Sequence, residues 1–204
     1  MTAAHERPQE YLSNQSQEAQ SVYRDNGLQI ITGLANPALA EEVGKILQHE
    51  IDKPVTLFGD GERRIVVSHS LRRKDVVIIQ PTSPPDVNGH IMELLLMIDA
   101  ARRASAAEIT AVIPYFGYSR QDRKEQSGVP ISARLVADLI QTAGANRIVT
   151  IDVHSDQEQG FTSIPWETLY GSYALVPRLK EENLDLQNTV ILSPDMGGVK
   201  RTRK

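Results

Sequence analysis

Ile113-Pro114-Tyr115-Phe116-Gly117-Tyr118-Ser119-Arg120-Gln121-Asp122-Arg123-Lys124 continues an apolar run that begins at Ile109. The run reads as a buried strand, and Pro114 ends it. Three aromatics and a glycine follow, then a guanidinium fork at Arg120, an amide at Gln121, a carboxylate at Asp122 and two more cations. Aromatics beside cations can hold a base by stacking and a phosphate chain by bidentate hydrogen bonds. A solvated loop with its aromatics packed underneath has the same composition. What the other strand ends carry decides between the two.

Upstream, Leu28 to Thr32 reads as a strand, and Asn36-Pro37 opens a helix with Leu39, Val43, Ile46 and Leu47 on one face. Val55 to Phe58 and Arg64 to Ser68 flank Gly59-Asp60-Gly61-Glu62, a hairpin signal, and Asp75 to Gln80 is a further strand. Asn88 to Ala104 reads as a long helix burying Met92, Leu95, Leu96 and Ile98. Downstream, Ser132 is placed to cap the helix Ala133 to Ala143, which Gly144 ends. Arg147 to Ile151 is a strand, Pro165-Trp166 marks a loop, Gly171 to Asn183 a helix and Thr189 to Leu192 a last strand. Strands alternating with helices imply an α/β fold, a mainly parallel sheet flanked by helices. Ligands bind such sheets outside the carboxyl ends of the strands.

The 204 residues, 40% apolar and 24% charged, are enough for a real core. A net charge of −4 gives no support for a nucleic-acid partner held by bulk electrostatics. Without cysteine there is no disulfide framework, thiolate nucleophile or zinc–thiolate site, which fits a cytoplasmic setting. Residues 1–27 are rich in Gln, Glu and Ser and lack an apolar h-region, so they read as a mobile N-terminal extension. No run approaches a membrane span, and no membrane partner is expected.

Three strand ends carry polar clusters: the Arg120 loop, Asp152-Val153-His154-Ser155-Asp156, and Ser193-Pro194-Asp195-Met196-Gly197-Gly198. The second offers an imidazole and carboxylates to a hard cation, for which magnesium suits better than zinc. An ordinary turn with a solvent-facing histidine would look the same. His5, His49, His69 and His90 are left as surface or structural residues. In the third, backbone amides before a helix can face phosphate, and Asp195 can hold a metal. There is no Walker loop, dinucleotide fingerprint or G-x-S-x-G elbow. The residues alone reach a magnesium-dependent handler of phosphorylated ligands.

Phe58-Gly59-Asp60-Gly61-Glu62, Met92-Glu93-Leu94-Leu95, Ile113 to Lys124, Asp152-Val153-His154-Ser155 with Gln159-Gly160-Phe161, and Ser193 to Val199 occur in that order. Together they resemble the ribose-phosphate pyrophosphokinase family from about Leu28 onward. The resemblance implies a phosphoribosyltransferase-like domain over 28–168 and a second, similar domain only begun in 169–204. It implies transfer of the diphosphoryl group of ATP to ribose 5-phosphate, in nucleotide biosynthesis, with Mg2+ as cofactor. Arg120, Gln121, Asp122 and His154 would bind ATP. Phe58, Asp60, Gly61 and Glu62 would reach the adenine from a neighbouring subunit of a homo-oligomer, and His154 and Asp195 would meet the metal.

The chain departs from that pattern in several places. Glu158 stands where the family has an apolar residue, Trp166-Glu167-Thr168 replaces V-D-N, and Arg73 replaces the glycine of a V-R-G turn. The family's lysine-bearing catalytic loop and its D-D-x-x-D-T-G-G-T loop do not occur before Lys204. No catalytic residue is therefore expected within these 204 residues, which are expected to be inactive alone. The alternative is a non-catalytic homologue that assembles with active subunits and tunes them.

Overall fold

The computed structural model describes residues 27–182, 188–190, 192 and 193. The chain divides into two compact units, Met1–Leu169 and Tyr170–Lys204. In the first, strands β1 (Leu28–Thr32), β2 (Ile51–Asp52), β5 (Asp75–Ile79), β6 (Glu108–Ile113), β7 (Arg147–Ile151) and β8 (Trp166–Leu169) form one parallel sheet. Its strand order is β2-β1-β5-β6-β7-β8. A separate antiparallel hairpin, β3 (Val55–Leu57) with β4 (Arg63–Ile65), pairs Leu57 with Arg63 across the Asp60-Gly61 turn. The α/β reading and the hairpin both hold.

Side-chain alternation along the strands splits the core into two. On one face Ile31, Val76, Ile78, Ile109, Ala111, Ile113 and Ile148 meet α2 (Val87–Arg103) and α3 (Ser132–Ala143). On the other, Ile30 and Ile79 meet Ala40 of α1 (Pro37–Leu47). Connections through α1, α2 and α3 join parallel strands, so every strand presents its carboxyl end at the same sheet edge.

The helix ends follow the sequence signals in part. Asn36 accepts the Leu39 N–H at 3.1 Å, with Pro37 at the first helical position. Asp86 caps α2 by accepting the Gly89 N–H at 3.0 Å. Ser132 does not cap: it is the first residue of α3, and its hydroxyl donates to Gln121 Oε1 at 2.5 Å.

The expected helix faces hold in part: Leu39, Val43, Leu95 and Ile98 pack on the core, and the rest need correcting. In α1 the buried residues are small, Ala40 and Gly44, while Ile46 is 75% exposed and Leu47 also faces outward. In α2, Met92 is 53% exposed, and Leu94, Met97, Ile98 and the carboxylate residue Glu93 are buried.

The segment expected as a loop at Pro165-Trp166 is strand β8, preceded by a 3-10 helix at Asp156–Phe161. Its residues are tied to β7 one by one. The Trp166 indole N–H donates to Thr150 Oγ1 at 2.9 Å, Glu167 pairs with Arg147, and Thr168 meets Thr150 at 3.2 Å. Arg73 adopts φ 59°, the left-handed region where a glycine is at ease.

In the second unit, α4 (Ser172–Glu181) buries none of its residues. Of the strand expected from Thr189 to Leu192, residues 189, 190 and 192 are described and none is in a strand. Among the described residues no helix is long and apolar enough to cross a membrane.

Candidate functional site

β6 and β7 are neighbours, so the loops they release emerge side by side. The β6 loop is first pinned to the end of β5. Thr82 Oγ1 accepts the Gly117 N–H at 2.6 Å and donates to the Tyr115 carbonyl at 3.0 Å. A Cβ on Gly117 would lie 2.7 Å from the Thr82 carbonyl, so only glycine permits this approach. Both readings of the aromatics are partly met. Phe116 is buried and packs on Trp166 with ring centroids 5.0 Å apart, whereas Tyr115 and Tyr118 are exposed. Tyr118 donates its hydroxyl to Asn88 Oδ1 at 2.7 Å.

Beyond Tyr118 the loop binds to its neighbour. Ser119 Oγ accepts the His154 N–H at 2.8 Å and donates to Glu158 Oε1 at 2.7 Å. The same Oε1 accepts the Ser155 N–H at 3.1 Å. Glu158 is fully buried, and its second oxygen, Oε2, has no hydrogen-bond partner. Burial lifts its carboxyl above the ordinary range, more than the bonds from Ser119 and Ser155 lower it; Asp122 adds to the rise and His154 opposes it.

Arg120 and Gln121 are exposed on this loop, and His154 is exposed on the adjoining one. Of the other exposed arginines, Arg102, Arg103, Arg134 and Arg178 are ion-paired, whereas Arg64, Arg72, Arg73 and Arg123 form no ion pair among the described residues. Arg120 has no side-chain partner among the described residues, which leaves its fork free for an anion. Gln121 is held in place by Ser132, and its backbone carbonyl accepts the Ala133 N–H at 3.2 Å.

The Phe58–Glu62 turn is closed by Phe58 N–H to the Glu62 carbonyl at 2.8 Å and by Glu62 N–H to Asp60 Oδ1 at 3.0 Å. Gly61 takes φ 92° at its tip, and Phe58, Asp60 and Glu62 are exposed. Arg63 anchors the turn. Its Nε donates to Glu93 Oε2 at 3.0 Å, its Nη1 to the Gly61 carbonyl at 3.3 Å, and its Nη2 pairs with Asp86. Glu93 Oε1 accepts from Leu34 N–H at 2.5 Å and Gln80 Nε2 at 2.9 Å. Among the described residues, the turn and the Arg120 loop meet through the first turn of α2, at Asp86 and Asn88.

Asp195 lies outside the described residues, as do Gly197 and Gly198. Among the described residues no group of three or more His, Asp or Glu is arranged to hold a metal, so Asp152, His154 and Asp156 do not form a cage. One exposed imidazole suits a cation that arrives on a polyphosphate and keeps its other ligands as phosphate and water.

Sequence reasoning missed Ser119, Glu158, Arg63 and Glu93. Glu158 did leave a signal, as a charge where an apolar residue was expected.

An all-parallel sheet with helices on both faces, and two cross-bonded polar loops at its carboxyl edge, is the layout of an α/β protein that takes its ligand at strand ends. A profile for the N-terminal domain of ribose phosphate pyrophosphokinase matches residues 28–144, more than half of the chain. The ribose-phosphate pyrophosphokinase of Wolinella succinogenes is 51% identical over 178 residues, covering 87% of this chain and 57% of that protein. The enzyme of the same name from Staphylococcus aureus is 50% identical over 184 residues, covering 89% and 57%. The crystal structure of phosphoribosylpyrophosphate synthetase from Mycobacterium smegmatis matches with a TM-score of 0.82 and 40% identity, over 87% of this chain and 59% of that one. This chain belongs to the ribose-phosphate pyrophosphokinase family, and it spans somewhat more than half the length of the relatives it matches.

Proposed function

We propose that these residues form the nucleotide half of a ribose-phosphate diphosphokinase. In the reaction, the anomeric hydroxyl of ribose 5-phosphate attacks the β-phosphorus of Mg-ATP and loses its proton. The bond from that phosphorus to the oxygen bridging to the α-phosphate breaks, and AMP leaves. Such a transfer depends on alignment and charge neutralisation more than on covalent chemistry.

Arg120 forks the phosphate chain, with Gln121 and Asp122 beside it. His154 would meet the magnesium carried by ATP, a role that the family resemblance also gives to Asp195, which lies outside the described residues. Phe58, Asp60, Gly61 and Glu62 reach the adenine of a neighbouring subunit's nucleotide. The observation that supports this reading most is the unpaired, exposed Arg120 fork on a loop bonded to the His154 loop. Ribose 5-phosphate needs an anion cradle of its own, which the D-D-x-x-D-T-G-G-T loop supplies in the family and which is not among these 204 residues.

Two measurements test the reading. Calorimetry should show Mg-ATP binding to the 204-residue chain, and no heat of binding would count against it. An assay of AMP release with ribose 5-phosphate should be positive for a chain extended by a complete second domain and negative for the 204 residues alone.

A further inference from the structure

We infer that Glu158 is a positioning residue, setting the spacing between the Arg120 loop and the His154 loop through the hydroxyl of Ser119; this rests on the polyphosphate reading above. Ser119 directly precedes Arg120, and Ser155 directly follows His154. One carboxylate oxygen, Glu158 Oε1, takes the Ser119 hydroxyl at 2.7 Å and the Ser155 N–H at 3.1 Å. The Ser119 oxygen in turn takes the His154 N–H at 2.8 Å. Three hydrogen bonds thus close a knot directly beside Arg120 and His154 in the chain.

The direction of these bonds matters. A serine hydroxyl has a single proton. Glu158 accepts that proton, which leaves the Ser119 lone pairs turned toward the His154 N–H. With no acceptor at 158 the hydroxyl is free to rotate, and the bond to His154 loses its fixed direction.

Stability does not account for the carboxylate. Glu93, equally buried, takes donors on both oxygens and has Arg63 in contact. Glu158 is 0% exposed, leaves Oε2 unpartnered and has no cation in contact among the described residues. An aliphatic side chain of similar size would fill the space without that cost. What an aliphatic residue could not do is bind both loops at once.

The test uses the full 204-residue chain as wild type, Ser119→Ala, Glu158→Leu, the double variant and Glu158→Gln. Mg-ATP affinity is measured by calorimetry and the His154 amide by hydrogen exchange, with circular dichroism to confirm folding. Ser119→Ala and Glu158→Leu should each weaken Mg-ATP binding about tenfold, the loss of about one hydrogen bond's worth of alignment. Both should also speed exchange at His154. The double variant should be no worse than either single one, because all three disrupt one knot. Glu158→Gln should stay within about twofold of wild type, since its amide oxygen still accepts both donors.

Unchanged affinity in Ser119→Ala, with His154 exchange accelerated, would overturn the positioning role while leaving the nucleotide site intact. Additive losses in the double variant would overturn it too. If Glu158→Leu does not fold, Ser119→Ala and Glu158→Gln still decide. A wild-type chain that binds no Mg-ATP is a different failure: it removes the nucleotide reading, and the positioning role with it.

Discussion

Arg63 donates from Nε to Oε2 of the fully buried Glu93, 3.0 Å away, across 30 residues of sequence. That bond ties the exposed Phe58–Glu62 turn to the centre of α2. Arg63→Ala should cost about 3 kcal/mol or more, because it leaves a buried carboxylate without its cation. Arg63→Lys should recover only part, since one ammonium cannot reproduce the fork to Glu93, Asp86 and Gly61. Urea denaturation checks both, and a loss below about 1 kcal/mol for the alanine variant would contradict the role given to the pair.

Arg73→Gly should stabilise the fold by about 1 kcal/mol. Arg73 sits at φ 59° while its N–H donates to the Ser105 carbonyl at 2.8 Å, a bond glycine keeps. Left-handed backbone disfavours a side chain by roughly that amount. A thermal melt unchanged or lowered by the substitution would show that the arginine's own contacts outweigh the backbone term.

For the nucleotide, Arg120→Ala should weaken Mg-ATP binding by about 1.5–3 kcal/mol, the value of a charge-assisted hydrogen bond. Arg123→Ala should cost less, and Arg120→Lys should rescue incompletely. Calorimetry on folded variants decides this, with equal affinities for wild type and Arg120→Ala removing Arg120 from the site.

A site shared between subunits makes a separate prediction. Chains carrying Glu62→Ala, mixed with chains carrying Arg120→Ala, should regain some Mg-ATP sites, because some shared sites then receive an intact half from each. Binding that stays flat across mixing ratios, after subunit exchange is demonstrated, would mean each site is built within one chain.

Two carboxylates give opposite pH signatures. Glu158 is raised by burial, so its folded form holds the proton more tightly; its stabilising contribution is complete below an unfolded pKa of about 4.3 and is lost as pH rises through the folded value. Asp86 is lowered, first by Arg63 and then by the Gly89 N–H. Its contribution is present above an unfolded pKa of about 3.9 and is lost as pH falls through the folded one. In urea titrations from about pH 3 to neutrality, Glu158→Gln should gain on wild type as pH rises. Asp86→Asn should gain on wild type as pH falls. Parallel pH profiles for wild type and either variant would remove that residue from the linkage.

β1, β5, β6 and β7 and the loops they deliver were legible because apolar runs such as those ending in Pro114 or Asp152 are local patterns, whereas β2, only two residues long at Ile51–Asp52, left no such run. Helix faces were less so. Large apolar residues such as Ile46 and Met92 were natural choices for burial, yet α1 approaches the sheet through Ala40 and Gly44, whose small size allows close contact. β8 escaped notice because Trp-Glu-Thr-Leu is short and half polar, and its fit depends on Thr150 and Arg147 of another strand. Buried Glu158 and Glu93 were hidden for the same reason. The Ser155 N–H is a local donor to Glu158, but the partners that tie these carboxylates to other loops, Ser119 and Arg63, lie 39 and 30 residues away, where no window of local sequence finds them.

The first turn of α2 takes hold of two loops at once, Arg63 through Asp86 and Tyr118 through Asn88. Those attachment points are two residues apart, and a helix advances about 1.5 Å per residue. The hairpin and the Arg120 loop are thus suspended from one axle, about 3 Å apart along its length. While both bonds last, a slide of α2 along its axis moves the two loops together, whereas a roll about that axis moves them in opposite directions. Sliding of α2 therefore preserves their separation and rolling alters it, with the hairpin held to the helix a second time at Glu93.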